Sequence, residues 1–131
     1  MGRLQSLFPS CSLKKGYNAN EEFMDFFSKW CSDGEFQVSR IRFPLDYTEL
    51  DGDFNEKRSY LAKDEWRISH CYFNNSTDAR PQFYDSFDHE LKESNERVFA
   101  WHGVGTGQET YFYFKRIEGK WYLVKYEDIG T

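Results

Sequence analysis

The chain is short of the residues that usually announce a reaction. Histidine occurs three times, at His70, His89 and His102, and cysteine three times, at Cys11, Cys31 and Cys71. There is no Cys-x-x-Cys, so the usual metal and thioredoxin-type spacings are absent. An odd number of cysteines fits free thiols. One bridge, Cys31–Cys71, is compatible with an oxidising compartment, but buried free thiols are the expectation for this pair. No apolar run approaches the ~18 residues of a membrane span, and no low-complexity tract or internal repeat is present. Positive charge is also in short supply. The net charge is -5, and residues 41–95 hold the whole excess, with seven bases against twelve acids. An acidic middle argues against a phosphate-backbone partner, so no nucleic acid is expected.

What is present is aromatic. Phe, Trp and Tyr make up 20% of 131 residues. A single domain of about this length buries roughly two thirds of its unfolded surface, and large flat side chains must build much of that core. The clearest helix runs through NANEEFMDFFSKWCSDG. Asn20 is the expected N-cap and Gly34 the expected stop. Phe23, Phe26, Phe27 and Trp30 follow i, i+3, i+4, i+7 spacing and form one apolar stripe.

Phe36 to Leu45 reads as a strand. Phe36 and Val38 share one parity and Ile41 and Phe43 the other, which points to a β-bulge near Ser39–Arg40. Pro44 suggests an edge or a strand end. Leu50–Asp53 reads as a turn, Arg58–Ala62 as a return strand and Lys63–His70 as a short helix. Asn74–Pro81 reads as a loop and Gln82–Phe87 as a strand. Three strands close the chain: Arg97–His102, Glu109–Ile117 and Lys120–Tyr126. A helix followed by mostly antiparallel strands is an α+β arrangement, with the helix on one face of a curved sheet.

The last strands are apolar on both faces, so both faces need a cover. With Glu118–Gly119 as the hairpin turn, Arg116 faces Trp121, Phe114 faces Leu123, Tyr113 faces Val124 and Phe99 falls opposite Phe112. One face then carries Phe99, Trp101, Phe112, Phe114, Trp121 and Leu123, the expected seat of the helix stripe. The other carries Val98, Ala100, His102, Tyr111, Tyr113, Lys115, Tyr122, Val124 and Tyr126. Three readings fit this Tyr face: a solvated outer face, a self-association or partner surface, and the wall of a small-molecule pocket. On the second reading, changing Tyr113 and Tyr122 to Ser would leave folding nearly intact.

Phe23…Phe27…Trp30…Asp33…Phe36-Gln37…Arg40-Ile41…Phe43-Pro44-Leu45, with KDEW at Lys63–Trp66 and FKRIEGKWYLV at Phe114–Val124, resembles an uncharacterised bacterial family of the Bacteroidetes type. That family is assigned to the nuclear-transport-factor-2-like superfamily, with its cystatin-like folds. The resemblance spans about residues 20–126. It implies a cone: a strongly bent antiparallel sheet wrapped around an N-terminal amphipathic helix, often enclosing a pocket. Residues 18–131 would be this single domain, and residues 1–17 an unstructured or cloning-derived segment. Superfamily members bind small ligands, dimerise, or act as isomerases and dehydratases. The closer family implies the cell envelope or secretion through a leader peptide and a lipidated Cys. Here Cys11 follows FPS, no leader core is evident, and only a short myristoylation-like match begins at Gly2.

Three further groups could carry chemistry. HGVGTGQ, His102–Gln108, is glycine-rich, but a strand follows it and no Lys-Ser/Thr appears, so a hairpin loop is the better reading. His70-Cys71 would need spatial adjacency and an orienting third group to act as a nucleophile pair. DSFDHE, Asp85–Glu90, gathers carboxylates around His89, and an Asp–His dyad there could do acid–base work, yet the stretch reads as polar and exposed. Arg40 and Arg42 could hold a ligand carboxylate or simply lie on a solvated strand edge. The expectation is a non-enzymatic binding or interaction domain. It would take a small apolar ligand or self-associate through Tyr111, Tyr113, Lys115, Tyr122, Tyr126 and His102, with Arg40 and Arg42 nearby. The alternative is a small acid–base enzyme with an apolar substrate in the cone. No cofactor or metal is expected.

Overall fold

The computed structural model describes residues 20–50, 53–71, 79–103 and 109–129. Helix α1 spans Phe23–Ser32 and α2 spans Gly34–Ser39. The strands are β1 (Ile41–Leu50), β2 (Glu56–Leu61), β3 (Ala79–Tyr84), β4 (Glu96–Gly103), β5 (Glu109–Ile117) and β6 (Lys120–Asp128). They form one six-stranded sheet in the order β2-β1-β6-β5-β4-β3. Every neighbouring pair is antiparallel except β1 and β6, which are parallel. The expected antiparallel sheet is therefore mixed, because the chain enters β1 from the helices and leaves along β6 in the same direction. The α+β class holds.

The helix begins two residues later than expected. Glu22, not Asn20, is the N-cap, and its carboxylate accepts from the Asp25 amide at 3.0 Å. Gly34 does not end the helical region. Asp33 accepts from the Phe36 amide at 3.1 Å and starts α2. The parity switch at Ser39–Arg40 is consequently a helix-to-strand boundary rather than a bulge, since Phe36 and Val38 are helical. Lys63–Glu65 is a single 3-10 turn, and Trp66–Cys71 runs without helix or strand. Ala79–Pro81, expected in a loop, belongs to β3. The expectations for residues 1–17, for the turn at 51–52 and for most of the glycine-rich loop lie outside the described residues.

The apolar stripe finds its seat as expected. Phe23, Phe26, Phe27 and Trp30 are buried together with Phe99, Phe112, Phe114, Trp121 and Leu123. The rings meet largely edge to face, the favoured quadrupole geometry. Phe23 lies 5.1 Å from Trp121, and Trp30 lies 5.2 Å from Phe114, between centroids. The chain leading into α1 is pinned to the same strand. The Trp121 indole N–H and the Arg116 guanidinium donate to the Glu21 carbonyl at 2.8 and 3.5 Å. The Glu21 carboxylate accepts from the Trp121 amide at 2.9 Å and from both terminal nitrogens of Arg40 at 2.6 and 3.1 Å.

The β5–β6 hairpin turns at Glu118–Gly119 as expected, both with positive φ (51° and 84°). That is the pattern of a type I′ turn, and it explains the glycine. The pairs Arg116–Trp121, Phe114–Leu123 and Phe99–Phe112 also form. The register then shifts. Tyr113 pairs with Lys125 rather than Val124, which makes Val124 the extra residue of a bulge. A one-residue shift moves every later side chain to the opposite face. Tyr126, expected among the tyrosines of the second face, therefore packs on the helix side, 4.9 Å from Phe112. A second irregularity divides β1 between Ile41 and Asp46, where Pro44 can donate no ladder hydrogen bond. Pro44 thus sits inside an interior strand, not at an edge.

Cover for the second face comes from within the chain. Val98, Ala100, Tyr111 and Tyr113 form a second buried cluster with Tyr84, Phe87, Val124 and Ile129 packed on it. Phe87 meets Tyr113 edge on at 5.3 Å, and His89 stacks on Tyr84 and Tyr111 at 4.7 and 5.1 Å. The turn after β3 is exposed at Asp88–Glu90, as expected, yet it folds back so that Phe87 and His89 pack on the sheet. Ser86 anchors it, accepting from the Glu90 amide at 3.2 Å.

Two outcomes are expected. Tyr113→Ser should lower unfolding free energy by about 3–5 kcal/mol, the usual range for deleting a buried ring. Tyr122→Ser should cost clearly less, with urea midpoints as the readout. Equal effects would mean that the second cluster contributes no more than the surface. The second outcome concerns pH. Burial alone would raise the Glu21 pKa, but the Arg40 hydrogen bond, the Trp121 amide and the charges of Arg40 and Lys120 outweigh it and hold the group below its ordinary value of 4.5. The stability it contributes is complete above that value and is lost as pH falls through the lowered one. Glu21→Gln should flatten the acid limb of the stability–pH curve, and an unchanged limb would contradict the assignment.

Candidate functional site

Beyond the end of the helix-side core lies a cleft of about 420 Å³, lined by Tyr47, Leu61 and Glu65, by Trp66–Ser69, and by Phe112 and Tyr126. This size falls within the range of ordinary small-molecule sites. The bulge at Val124 gives the cleft its floor by turning Tyr126 inward. Tyr47 of β1 stacks on Tyr126 at 5.4 Å, and Trp66 meets the same ring edge on at 5.8 Å. Trp30 of α1 stands behind, 6.1 Å from Phe112 and 6.2 Å from Trp66.

One wall is the strap Trp66–Cys71, which lies in no helix or strand. Its support is Gln37 of α2, whose side chain is fully buried. The Gln37 carbonyl oxygen accepts from the Trp66 indole and from the Ser69 amide, both at 2.8 Å. Its amide nitrogen donates to the carbonyls of Ser69 at 2.7 Å and Trp30 at 2.8 Å. All four hydrogen-bonding capacities of one side chain are used, two donors and two acceptor sites. The side chain thereby replaces the neighbouring strand that Ser69 lacks. The strap ends at Cys71, which forms a disulfide with Cys31 at the end of α1. The expected free thiols at Cys31 and Cys71 are thus corrected to a bridge. Cys31 packs against the edge of the helix-side core, and a sequence separation of 40 conceals its proximity to Cys71. The bridge also removes Cys71 as a nucleophile partner for His70.

Besides Glu65 and Arg67, the cleft is lined by two phenols, Tyr47 and Tyr126. Burial, followed by the neighbouring Asp128 carboxylate, pushes the Tyr126 pKa up to about 12. Burial, with the hydrogen bond and charge of Glu49, raises that of Tyr47. Both rings stay neutral near pH 7 and offer hydroxyls beside an apolar floor. Among the described residues, no group of three or more His, Cys, Asp or Glu side chains could hold a metal ion.

The residues singled out in the sequence do not converge on one site. Tyr111 and Tyr113 are buried in the second cluster, donating to Glu109 and Glu127 carboxylates at 2.6 Å each. His102 lies edge on to Tyr111 at 5.9 Å, on that same face. Lys115 is exposed. Arg40 is committed to Glu21, with a further hydrogen bond to the Trp121 carbonyl at 3.1 Å. Arg42 lies over the Tyr122 ring at 4.3 Å. Of the named set, Tyr126 alone lines the cleft. Asp85 and His89 do not form a dyad, since Asp85 approaches Arg97 at 3.6 Å and His89 stacks on tyrosines. Gln37, Tyr47, Trp66 and Ser69 were not singled out as site residues in the sequence. One signal was available: Trp66 and Ile68 are spaced i, i+2, which suits an extended strap and not a helix.

Comparison with known proteins is consistent with this geometry. An NTF2-like protein from Bacteroides fragilis superposes with a TM-score of 0.64 at 25% identity, over 86% of this chain and 48% of its own. This chain thus spans about half the length of that relative. A cystatin-like protein from Bacteroides caccae gives a TM-score of 0.54 at 25% identity, over 82% of this chain and 76% of its own. A protein from Bacteroides uniformis gives 0.57 at 21% identity over the same shares. No curated protein matches. The fold is NTF2-like, and the family model described as "Domain of unknown function (DUF4348)" matches residues 7–128. With its aromatic core, strap and cleft lying within that span, the chain belongs to the DUF4348 family.

Proposed function

We propose that this domain binds a small, flat, largely apolar ligand in the cleft between the strap and the sheet, without transforming it. The observation that carries this reading is the aromatic floor and walls of Tyr47, Trp66, Phe112 and Tyr126 around a volume of about 420 Å³. A neutral phenol at each of two positions supplies directional hydrogen bonds, the usual division of labour in small-molecule sites. The acid–base alternative draws less support. Its expected working histidines, His89 and His102, both contact Tyr111 on the opposite face of the sheet. The body of the cone is filled by the α1 aromatics. Self-association through the outer face would rest on Tyr122 and Lys115, because Tyr111 and Tyr113 are already covered.

The disulfide bears on where binding takes place. Structural bridges persist in oxidising compartments and are rare in the cytosol, which supports an envelope or secreted setting. No helix among the described residues is long and apolar enough to cross a membrane.

Two measurements test this account. Indole titrated into ¹⁵N-labelled protein should shift the Trp66 indole resonance and the amides of Tyr47, Ile68 and Tyr126. Ile68→Asp should weaken that binding at least fivefold. Shifts confined to the Tyr111–Tyr122 side, or none at all, would overturn the cleft reading. For the bridge, alkylation of unreduced protein should modify Cys11 alone and alkylation after reduction all three cysteines. Cys31→Ser should cost about 2–4 kcal/mol of stability, as expected for a closed loop of this size. Three thiols reacting before reduction would show that the bridge is absent.

A further inference from the structure

A second cleft lies against the sheet near the β5–β6 turn, and it is defined by arginine. Arg97 on β4 stands opposite Phe114, and Arg116 on β5 stands opposite Trp121. Both guanidinium groups lie over the Trp121 ring, with their carbons 5.4 and 5.2 Å from its centroid. Two like charges on one indole repel each other, so their neighbours matter. Arg97 donates one terminal nitrogen to the carbonyls of Ser94 and Glu96, at 3.0 and 2.7 Å. Its Nε lies 3.6 Å from the Asp85 carboxylate. Arg116 donates to the Asn95 side-chain oxygen at 2.8 Å and to the Glu21 carbonyl at 3.5 Å. These are neutral acceptors. Among the described residues no carboxylate lies within ion-pair distance of Arg116, and Asp85 faces Arg97 alone.

Both arginines line two clefts, of about 290 and 380 Å³. The smaller has an apolar wall of Phe23, Met24, Phe83 and Trp121. Of the two acids that also line it, Glu22 caps α1 and Asp85 faces Arg97. Glu93 lines the larger, polar cleft. The smaller cleft thus joins both arginines to an apolar wall, with Glu22 and Asp85 engaged at its rim, whereas the larger joins them to polar residues only. Arginine held in place by neutral acceptors keeps a planar fork for a carboxylate at little ordering cost.

We propose that this cleft binds the carboxylate of a small organic acid with an apolar stem. The remaining N–H groups of Arg116 and Arg97 would hold the carboxylate, and the stem would lie along Phe23, Met24 and Phe83. The site is separate from the strap cleft and does not depend on its function.

The probe is phenylacetate, compared with phenylacetamide, which has the same stem and no charge. Phenylacetate should bind saturably to the full chain by calorimetry and shift the Trp121 indole N–H resonance, while phenylacetamide binds at least tenfold more weakly. Arg116→Gln should cost at least tenfold in phenylacetate affinity, and Arg116→Lys should restore only part of it because the fork is lost. An unchanged thermal midpoint in both variants would separate lost binding from lost folding. Equal binding of acid and amide, shifts at Trp66 in place of Trp121, or unchanged affinity in Arg116→Gln would each overturn the proposal.

Discussion

The contact on which this molecule depends is the seating of one helical stripe on one face of the sheet. Phe23, Phe26, Phe27 and Trp30 supply one side, and Phe99, Phe114 and Trp121 the other. The rings bury a large apolar area and meet across the interface mostly edge on, so the interface combines hydrophobic transfer with oriented quadrupoles. Glu21 fixes the angle of entry. It binds Arg40 at the start of β1 and Trp121 on β6, two positions about 20 and 100 residues away in the chain. Helix, first strand and last strand are thereby held at a single point, beside the parallel pairing of β1 and β6.

From that fixed point the rest follows through one displaced residue. Val124 is extra in β6, and beyond it the strand presents its other face. Tyr126 turns toward the helix side and Lys125 turns outward, where its ammonium lies 5.3 Å from the Tyr113 ring. Bulges commonly re-aim side chains beside binding sites. Here the bulge separates the buried aromatic core from the open cleft.

The strap is the other half of that cleft, and it has no ladder of its own. Gln37 and the Cys31–Cys71 bridge hold it at its middle and at its end. A buried side-chain amide with every capacity satisfied is rigid, since loss of any partner leaves a polar atom stranded at a cost of about 1–3 kcal/mol. That wall of the cleft is thus preset, a condition that would lower the ordering cost of the binding proposed above.

Much of the architecture was legible in the chain itself. The i, i+3, i+4, i+7 stripe, the Glu118–Gly119 turn and the first four residues of the hairpin register are local patterns, and local patterns are written in consecutive residues. The resemblance of the helix and the final hairpin to a known family pointed to the same α+β fold. The site was far less legible. Tyr126 appeared on the wrong face because a bulge depends on what each strand packs against, not on alternation alone. Gln37 read as a strand residue because its four partners lie on α1 and on a strap about 30 residues away. The bridge between Cys31 and Cys71, and the cover that Phe87 and His89 place over Tyr111 and Tyr113, were likewise settled by proximity in space. The sequence alone determined which faces had to be buried, since the hydrophobic effect acts on any side chain of that kind. Only the tertiary structure decided which of them would be left to line a cleft, because that depends on where distant segments meet and how much volume they fail to fill.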